Sequence, residues 1–179
     1  AARFVSEEGG ILLRKDYGFV DFSVYDSSLG AGWGRNGVPD SIVKEGHRHR
    51  VNTVSLVTSV DEARDALANG YALSVCSGVG FSSQRDDNGY ARTRGSWSHA
   101  MAWVGCNDTK KNGGPGFLVQ NSWGKWNSGG KKFDQPDGSF WINYDAAEKL
   151  ISARGAWVFS DVDGFPPRKL PDYGKSLWG

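Results

Sequence analysis

His99, with an apolar run behind it, and an Asn-Ser-Trp-Gly run one strand further on are the residues of this chain best suited to chemistry. Ser96-Trp97-Ser98-His99-Ala100-Met101-Ala102-Trp103-Val104-Gly105 and Gly116-Phe117-Leu118-Val119-Gln120-Asn121-Ser122-Trp123-Gly124 each read as a buried strand with a polar residue at one end. Residues 107–115 between them have the composition of a hairpin loop. Antiparallel pairing would bring His99, at the start of the first strand, beside Asn121, at the end of the second. An imidazole oriented by an amide is the base half of a nucleophilic catalytic group. The other half, a nucleophile, has to be found elsewhere.

The surrounding sequence predicts the elements that would carry these residues. The chain opens on what reads as the last turns of a helix ending at Gly9-Gly10, without a capping residue before it, so upstream sequence is expected. Residues 11–17 suit a short extended piece, and 18–50, with Gly30, Gly32, Gly34, Gly37, Pro39 and Gly46, read as an irregular excursion. His47-Arg48-His49-Arg50 lacks further ligands nearby and reads as a basic loop edge rather than a metal site. Residues 51–57 alternate as a strand does. Ser59-Val60-Asp61-Glu62 is a capping box opening a helix that Asn69-Gly70 closes, with Ala63, Ala66 and Leu67 on its apolar face. A strand over 71–76, a polar loop over 77–95 and the two central strands follow. A glycine-rich loop over 125–138 comes next, then strands at 139–144 and 155–160 around a short helix at about 145–152. The expected layout is therefore 1–50 as a helix end with an irregular connection, 51–164 as a β-rich domain, and 165–179 as an extended tail.

Composition narrows the possibilities. At 179 residues and 39% hydrophobic, the chain suits one domain with a real core. Twenty-one Lys and Arg against twenty Asp and Glu give a net charge of +1, so no nucleic-acid or anionic-membrane partner is expected. No run is long and apolar enough for a membrane span and no signal-peptide pattern opens the chain, which predicts a soluble protein of unassigned compartment. Cys76 and Cys106 are the only cysteines, too few for a disulfide framework. That fits a reducing compartment, or a protein whose other cysteines lie upstream.

Ser98-His99-Ala100 with apolar residues on to Gly105, followed by Asn121-Ser122-Trp123-Gly124 at the end of the next strand, resembles the C-terminal half of the papain-like cysteine peptidases. The helix and strand over 59–76, the strand after the Asn-Ser-Trp-Gly run, and Phe4–Tyr17, similar to the family's segment ending in Tyr-Pro-Tyr, extend the match. The resemblance implies an α+β fold, mainly the antiparallel β-sheet or barrel domain plus the tail of the helical domain. It implies that His99 pairs with a cysteine thiolate and protonates the leaving amine, that Asn121 holds the tautomer of His99, and that Trp123 covers that bond, with Ser122 and Gly124 supporting the site. Cys76, Ser98 and Ala100 would line a pocket for a side chain of a peptide or protein substrate. No cofactor and no metal are implied.

The departures from the family are equally informative. Its nucleophile stands early, in a Gln-x-x-x-x-x-Cys-x-x-Cys-Trp stretch at a helix start, about 130–150 residues before the histidine and asparagine. Neither that cysteine nor the oxyanion-hole glutamine is in this sequence, and Gly18 replaces the proline of Tyr-Pro-Tyr. The Trp-Gly pair usually found after Asn-Ser-Trp-Gly is replaced by Lys125-Trp126-Asn127-Ser128-Gly129-Gly130. Cys76, expected inside a strand, lacks the helix N-terminus that lowers a thiol pKa, so it reads as a small buried hydrophobe, and Cys106 as core. Two functions stay open. In one, the chain gives His and Asn to a peptidase whose cysteine lies on an upstream partner segment. In the other, it is an inactive papain-like module, structural or binding, in a larger assembly. The chain alone is expected to be inactive in either.

Overall fold

The computed structural model describes residues 2–111 and 113–164, so the tail expected at 165–179 lies outside the described residues. Six strands form one antiparallel sheet: β1 (Val51–Leu56), β2 (Leu73–Arg85), β3 (Ala91–Asn107), β4 (Gly116–Gln120), β5 (Phe140–Asn143) and β6 (Ala156–Val162), in the order β1-β6-β2-β3-β4-β5. Helices α4 (Val60–Ala68) and α5 (Tyr144–Ser152) pack on one face. Leu73, Val75, Trp103, Phe117, Val119 and Ile142 point at those helices and are almost wholly buried, and α5 answers with Ala146, Ala147, Leu150 and Ile151. Alternation sends the intervening residues to the opposite face, where Ala72, Cys76 and Ala100 are exposed.

The cap read from the sequence at the start of α4 is present, and α5 has one that the sequence reading did not name. Ser59 Oγ accepts the Glu62 N–H at 3.1 Å, and Glu62 reaches back past the cap to the Thr58 N–H at 2.7 Å. These bonds from Thr58 hold the Glu62 carboxyl below its ordinary range. Replacing Ser59 with alanine is expected to cost about 1 kcal/mol, read as a lower urea midpoint with an unchanged m-value. Asn143 caps α5 by accepting the Ala146 N–H at 2.9 Å. Arg64 of α4 binds Asp108 through two parallel bonds of 2.8 and 3.0 Å, and the Tyr144 hydroxyl donates to the same carboxylate. The end of β3 is thereby tied to both helices. Arg64 first, then Tyr144, holds the Asp108 carboxyl below its usual range, while burial raises the Tyr144 hydroxyl. Because the folded state lowers that carboxyl pKa, its stabilisation is present above about pH 4 and fades as pH falls through the lowered value. Asp108→Asn should therefore be less stable than the wild type at pH 7, with the gap closing as pH falls through the lowered carboxyl value; denaturant midpoints at pH 7 and through the acid range test this.

Residues 18–50 differ from the irregular excursion expected. They hold α2 (Ser27–Asn36), α3 (Asp40–Gly46) and a 3-10 turn (His47–His49). Gly30, Gly32 and Gly34 each disfavour helix by about 1 kcal/mol and concealed α2. It forms because both ends are closed. Asp26 accepts the Ser28 N–H at 2.8 Å, and Gly37, at φ +84°, returns its N–H to the Trp33 carbonyl at 2.9 Å. Phe22 also packs edge-on against Trp33. Helix α1 (Ala2–Glu7) ends at the expected glycine pair, and at Gly10 only glycine fits: φ is +101°, and a Cβ would lie 2.0 Å from the Gly46 carbonyl oxygen. In the basic turn, His47 faces the Glu8 carbonyl and His49 the Asp163 carbonyl.

The loop expected over 77–95 is also corrected. It is a long β2–β3 hairpin closed at Asp86–Tyr90, where Asp86 Oδ1 accepts the N–H groups of Asn88 and Tyr90 at 2.9 Å. Three register shifts between Ser77 and Arg85 remove the strict alternation by which a strand is recognised.

Candidate active site

Strand β3 carries Ser98, His99 and Ala100 past β2, with Cys76 opposite Ala100 and Ser77 opposite His99. On its other side β3 pairs with β4 through Ala102–Gln120 and Trp103–Val119. Strand β4 stops at Gln120, earlier than expected, so Asn121-Ser122-Trp123-Gly124 turns off the end of the sheet. This brings the buried Asn121 alongside the half-buried His99, whose Nε2 lies 2.7 Å from Asn121 Oδ1.

The hydrogen bonds determine which ring nitrogen is free to act. Asn121 Oδ1 also takes the backbone N–H of Ser122 at 2.8 Å, so this atom is an acceptor. Nε2 of His99 must then carry the proton, which leaves Nδ1 with its lone pair as the base. Trp123 lies over the imidazole, stacked at 4.3 Å and 20°, and Trp97 meets its edge at 5.6 Å and 77°. Trp126 braces both indoles from the side, at 5.4 Å from Trp123 and 6.2 Å from Trp97, and donates its Nε1–H to the Gly138 carbonyl at 2.8 Å. Gly124 completes the corner. Its carbonyl oxygen packs where a Cβ on Gly138 would stand 2.0 Å away, and Gly138 is itself at φ +77°.

Cys76 is exposed, not buried as its residue type suggested. With Gly78, Ser98, Ala100, Ala153 and Gly155 it lines a recess of about 480 Å³ beside His99, and none of these side chains is charged. Pairing of Cys76 with Ala100 and of His99 with Ser77 directs Cys76 and His99 to opposite faces, so the thiol is badly placed to exchange a proton with Nδ1. Cys106, opposite Phe117 at the far end of β3, is half-buried, and burial pushes its thiol pKa up. Sequence reasoning did not single out Trp97 or Trp126. Trp97 shares the face of His99 two residues on, a strand-period signal; Trp126 had no comparable mark. Among the described residues no three His, Cys, Asp or Glu side chains gather as a metal site requires.

Among solved structures the chain is similar to xylellain, a cysteine protease from Xylella fastidiosa, at 18% identity and a TM-score of 0.52, over 88% of this chain and 59% of that one. It is similar also to the ragweed pollen allergen Amb a 11 cysteine protease in its proform, at 18% identity and a TM-score of 0.50, over 88% of this chain and 43% of that one. The chain has the papain-like fold. It corresponds to the C-terminal part of those papain-like chains and spans less than two thirds of either. No family model matches its sequence, and no curated protein is close enough in sequence to count as a relative. The antiparallel sheet with packed helices is the α+β papain-like architecture that the His-Ala and Asn-Ser-Trp-Gly runs implied. No helix among the described residues is long and apolar enough to cross a membrane.

Proposed function

We propose that this chain supplies the base and its orienting amide to a Cys-His-Asn peptidase, with the nucleophilic cysteine and an oxyanion-hole glutamine carried by an upstream segment. The observation that carries this reading is the 2.7 Å contact between His99 Nε2 and Asn121 Oδ1 beneath the Trp123 indole, on a papain-like sheet. In the first half-reaction Nδ1 of His99 takes the thiol proton. The thiolate adds to the peptide carbonyl carbon, and the resulting imidazolium returns the proton to the departing amine as the C–N bond breaks. Water, deprotonated by the same Nδ1, then cleaves the thioester and regenerates the thiol. Asn121 keeps the ring turned and Trp123 keeps water off the Nε2–Oδ1 bond, so both are positioning residues. The uncharged recess at Cys76, Ser98 and Ala100 suits an uncharged substrate side chain.

The test is made on the polypeptide as encoded, including whatever precedes Ala1. A thiol-directed epoxide should label one cysteine in the upstream segment stoichiometrically, and His99→Ala should abolish labelling. Serine or glycine at the nucleophile position, with no label taken up, would overturn the peptidase reading and leave an inactive papain-like binding module.

A further inference from the structure

Arg85, the last residue of β2, is only 5% exposed, yet among the described residues no carboxylate pairs with it. Its guanidinium donates to the Ser139 carbonyl at 2.9 Å and to the Gly129 carbonyl at 3.2 Å, while its Nε–H is buried without a partner. Burying a cation on such terms is costly, and an apolar side chain of similar volume would fill the space as well. What the guanidinium adds is two bonds fixed in direction by a rigid fork. Main-chain bonds continue the seam, from the Arg85 N–H to the Ser128 carbonyl and from the Ser128 N–H to the Ser83 carbonyl, both at 2.9 Å. The fit is close: Gly129 is at φ +98°, and a Cβ on it would stand 2.3 Å from the Arg85 carbonyl oxygen. From this seam the path to His99 is short. Trp126 Nε1 donates to the Gly138 carbonyl, one residue before the Ser139 carbonyl that Arg85 holds. Asn127, beside Trp126, gives its Nδ2–H to that same Ser139 carbonyl at 3.0 Å, and Phe140 meets Trp126 edge-on at 5.8 Å and 79°. Trp126 in turn meets Trp123, whose indole lies over the imidazole.

From this chain of contacts we infer that Arg85 is a positioning residue for His99 and Asn121. By fixing the Ser139 and Gly129 carbonyls it holds Trp126 against Trp123, and so keeps the indole roof closed over the Nε2–Oδ1 bond. It touches no reacting atom and acts through Trp126. Its effect on turnover rests on the peptidase reading above; its effect on the roof does not.

The polypeptide as encoded, isotope-labelled at histidine, is again the material for the test. NMR reads the exchange with water of the His99 Nε2 proton, identified as the resonance lost in His99→Gln. Arg85→Met, which keeps the bulk and removes both bonds, should exchange that proton about ten-fold faster than the wild type, as should Trp126→Ala. The double variant should be no faster than Trp126→Ala. Arg85→Lys, which retains the charge and a donor, should stay within about three-fold of the wild type. Ser59→Ala, weakened at the cap of α4 instead, should exchange at the wild-type rate. In steady-state hydrolysis Arg85→Met should lower kcat about ten-fold and leave KM within about two-fold. A wild-type exchange rate in Arg85→Met overturns the inference, and so does a double variant in which the two single effects multiply. Equal acceleration in Ser59→Ala would mark general loosening and overturn it too. Should Arg85→Met fail to fold, Arg85→Gln is read in its place against the same rates. Epoxide uptake reports separately: a protein that takes up no label discards the peptidase and leaves the exchange rates to judge the roof. A labelled protein whose exchange is indifferent to Arg85 keeps the peptidase and overturns this inference.

Discussion

His99→Ala in the polypeptide as encoded is expected to lower kcat/KM for peptide hydrolysis by about 10⁶-fold. With the imidazole gone, nothing on β3 can take the thiol proton or return it to the amine, and the residual rate comes from binding and the oxyanion donors alone. Asn121→Ala should act more gently and differently. It frees the ring to rotate and to choose its tautomer, so the loss, about 10–100-fold by analogy with other second-layer partners, should fall on kcat more than on KM. The double variant should be no worse than His99→Ala, because the amide acts only through the ring. Steady-state kinetics on a fluorogenic peptide, with the cysteine nucleophile verified first, gives all three numbers. Additive losses in the double variant would show Asn121 working independently of His99 and would break the proposed division of roles.

Trp103→Ala is expected to be the most destabilising single change in the core. The side chain is fully buried and stacks on Phe117 at 4.8 Å and 19°, at a point of β3 where β2 and β4 flank it through Leu73 and Val119. Loss of an indole from such a site costs about 3–5 kcal/mol, a large share of the 5–15 kcal/mol by which domains are usually stable. Trp103→Phe should cost far less, about 1 kcal/mol. It keeps most of the apolar contact and removes an indole N–H that is buried here without a partner. Equilibrium unfolding in urea separates the two. A phenylalanine variant as unstable as the alanine variant would mean that the N–H is satisfied in solution and that shape alone is not what the site rewards.

The contact between His99 and Asn121 was the most legible part of this sequence. His99 and Asn121 announced themselves because each ends an apolar run, and the hairpin loop between the runs dictates antiparallel pairing, which the register of β3 and β4 shows. Ser59 and Glu62 marked α4 through a local hydrogen-bond pattern that needs no tertiary context. What the sequence concealed was concealed for identifiable reasons. Helix α2 carries three glycines and buries none of its residues, so neither propensity nor periodicity could reveal it; Asp26 and Gly37, at its two ends, were the available signal. The β2–β3 hairpin was hidden by bulges that break period two, although Asn88-Gly89 at its tip is a turn pair. The exposure of Cys76 was missed because residue type says nothing about which face of a sheet remains uncovered. Trp126 reaches the site only because the 125–138 excursion folds back onto it, through its bond to Gly138.

The strand order has a consequence for the timing of assembly. Among the described residues β1 has one strand neighbour, β6, joined in a register that sets Val51 against Val162. A ribosome releasing this polypeptide therefore exposes β1 early and gives it a partner only when nearly all of the described chain has emerged. Strands β2 to β5 each have an antiparallel neighbour next to them in sequence in the meantime, so those strands are expected to order first and the β1–β6 seam last. Until that seam closes, one edge of the nascent sheet is open to other chains, and the sequence meets that interval with a strand whose exposed positions are Asn52, Thr53 and Ser55.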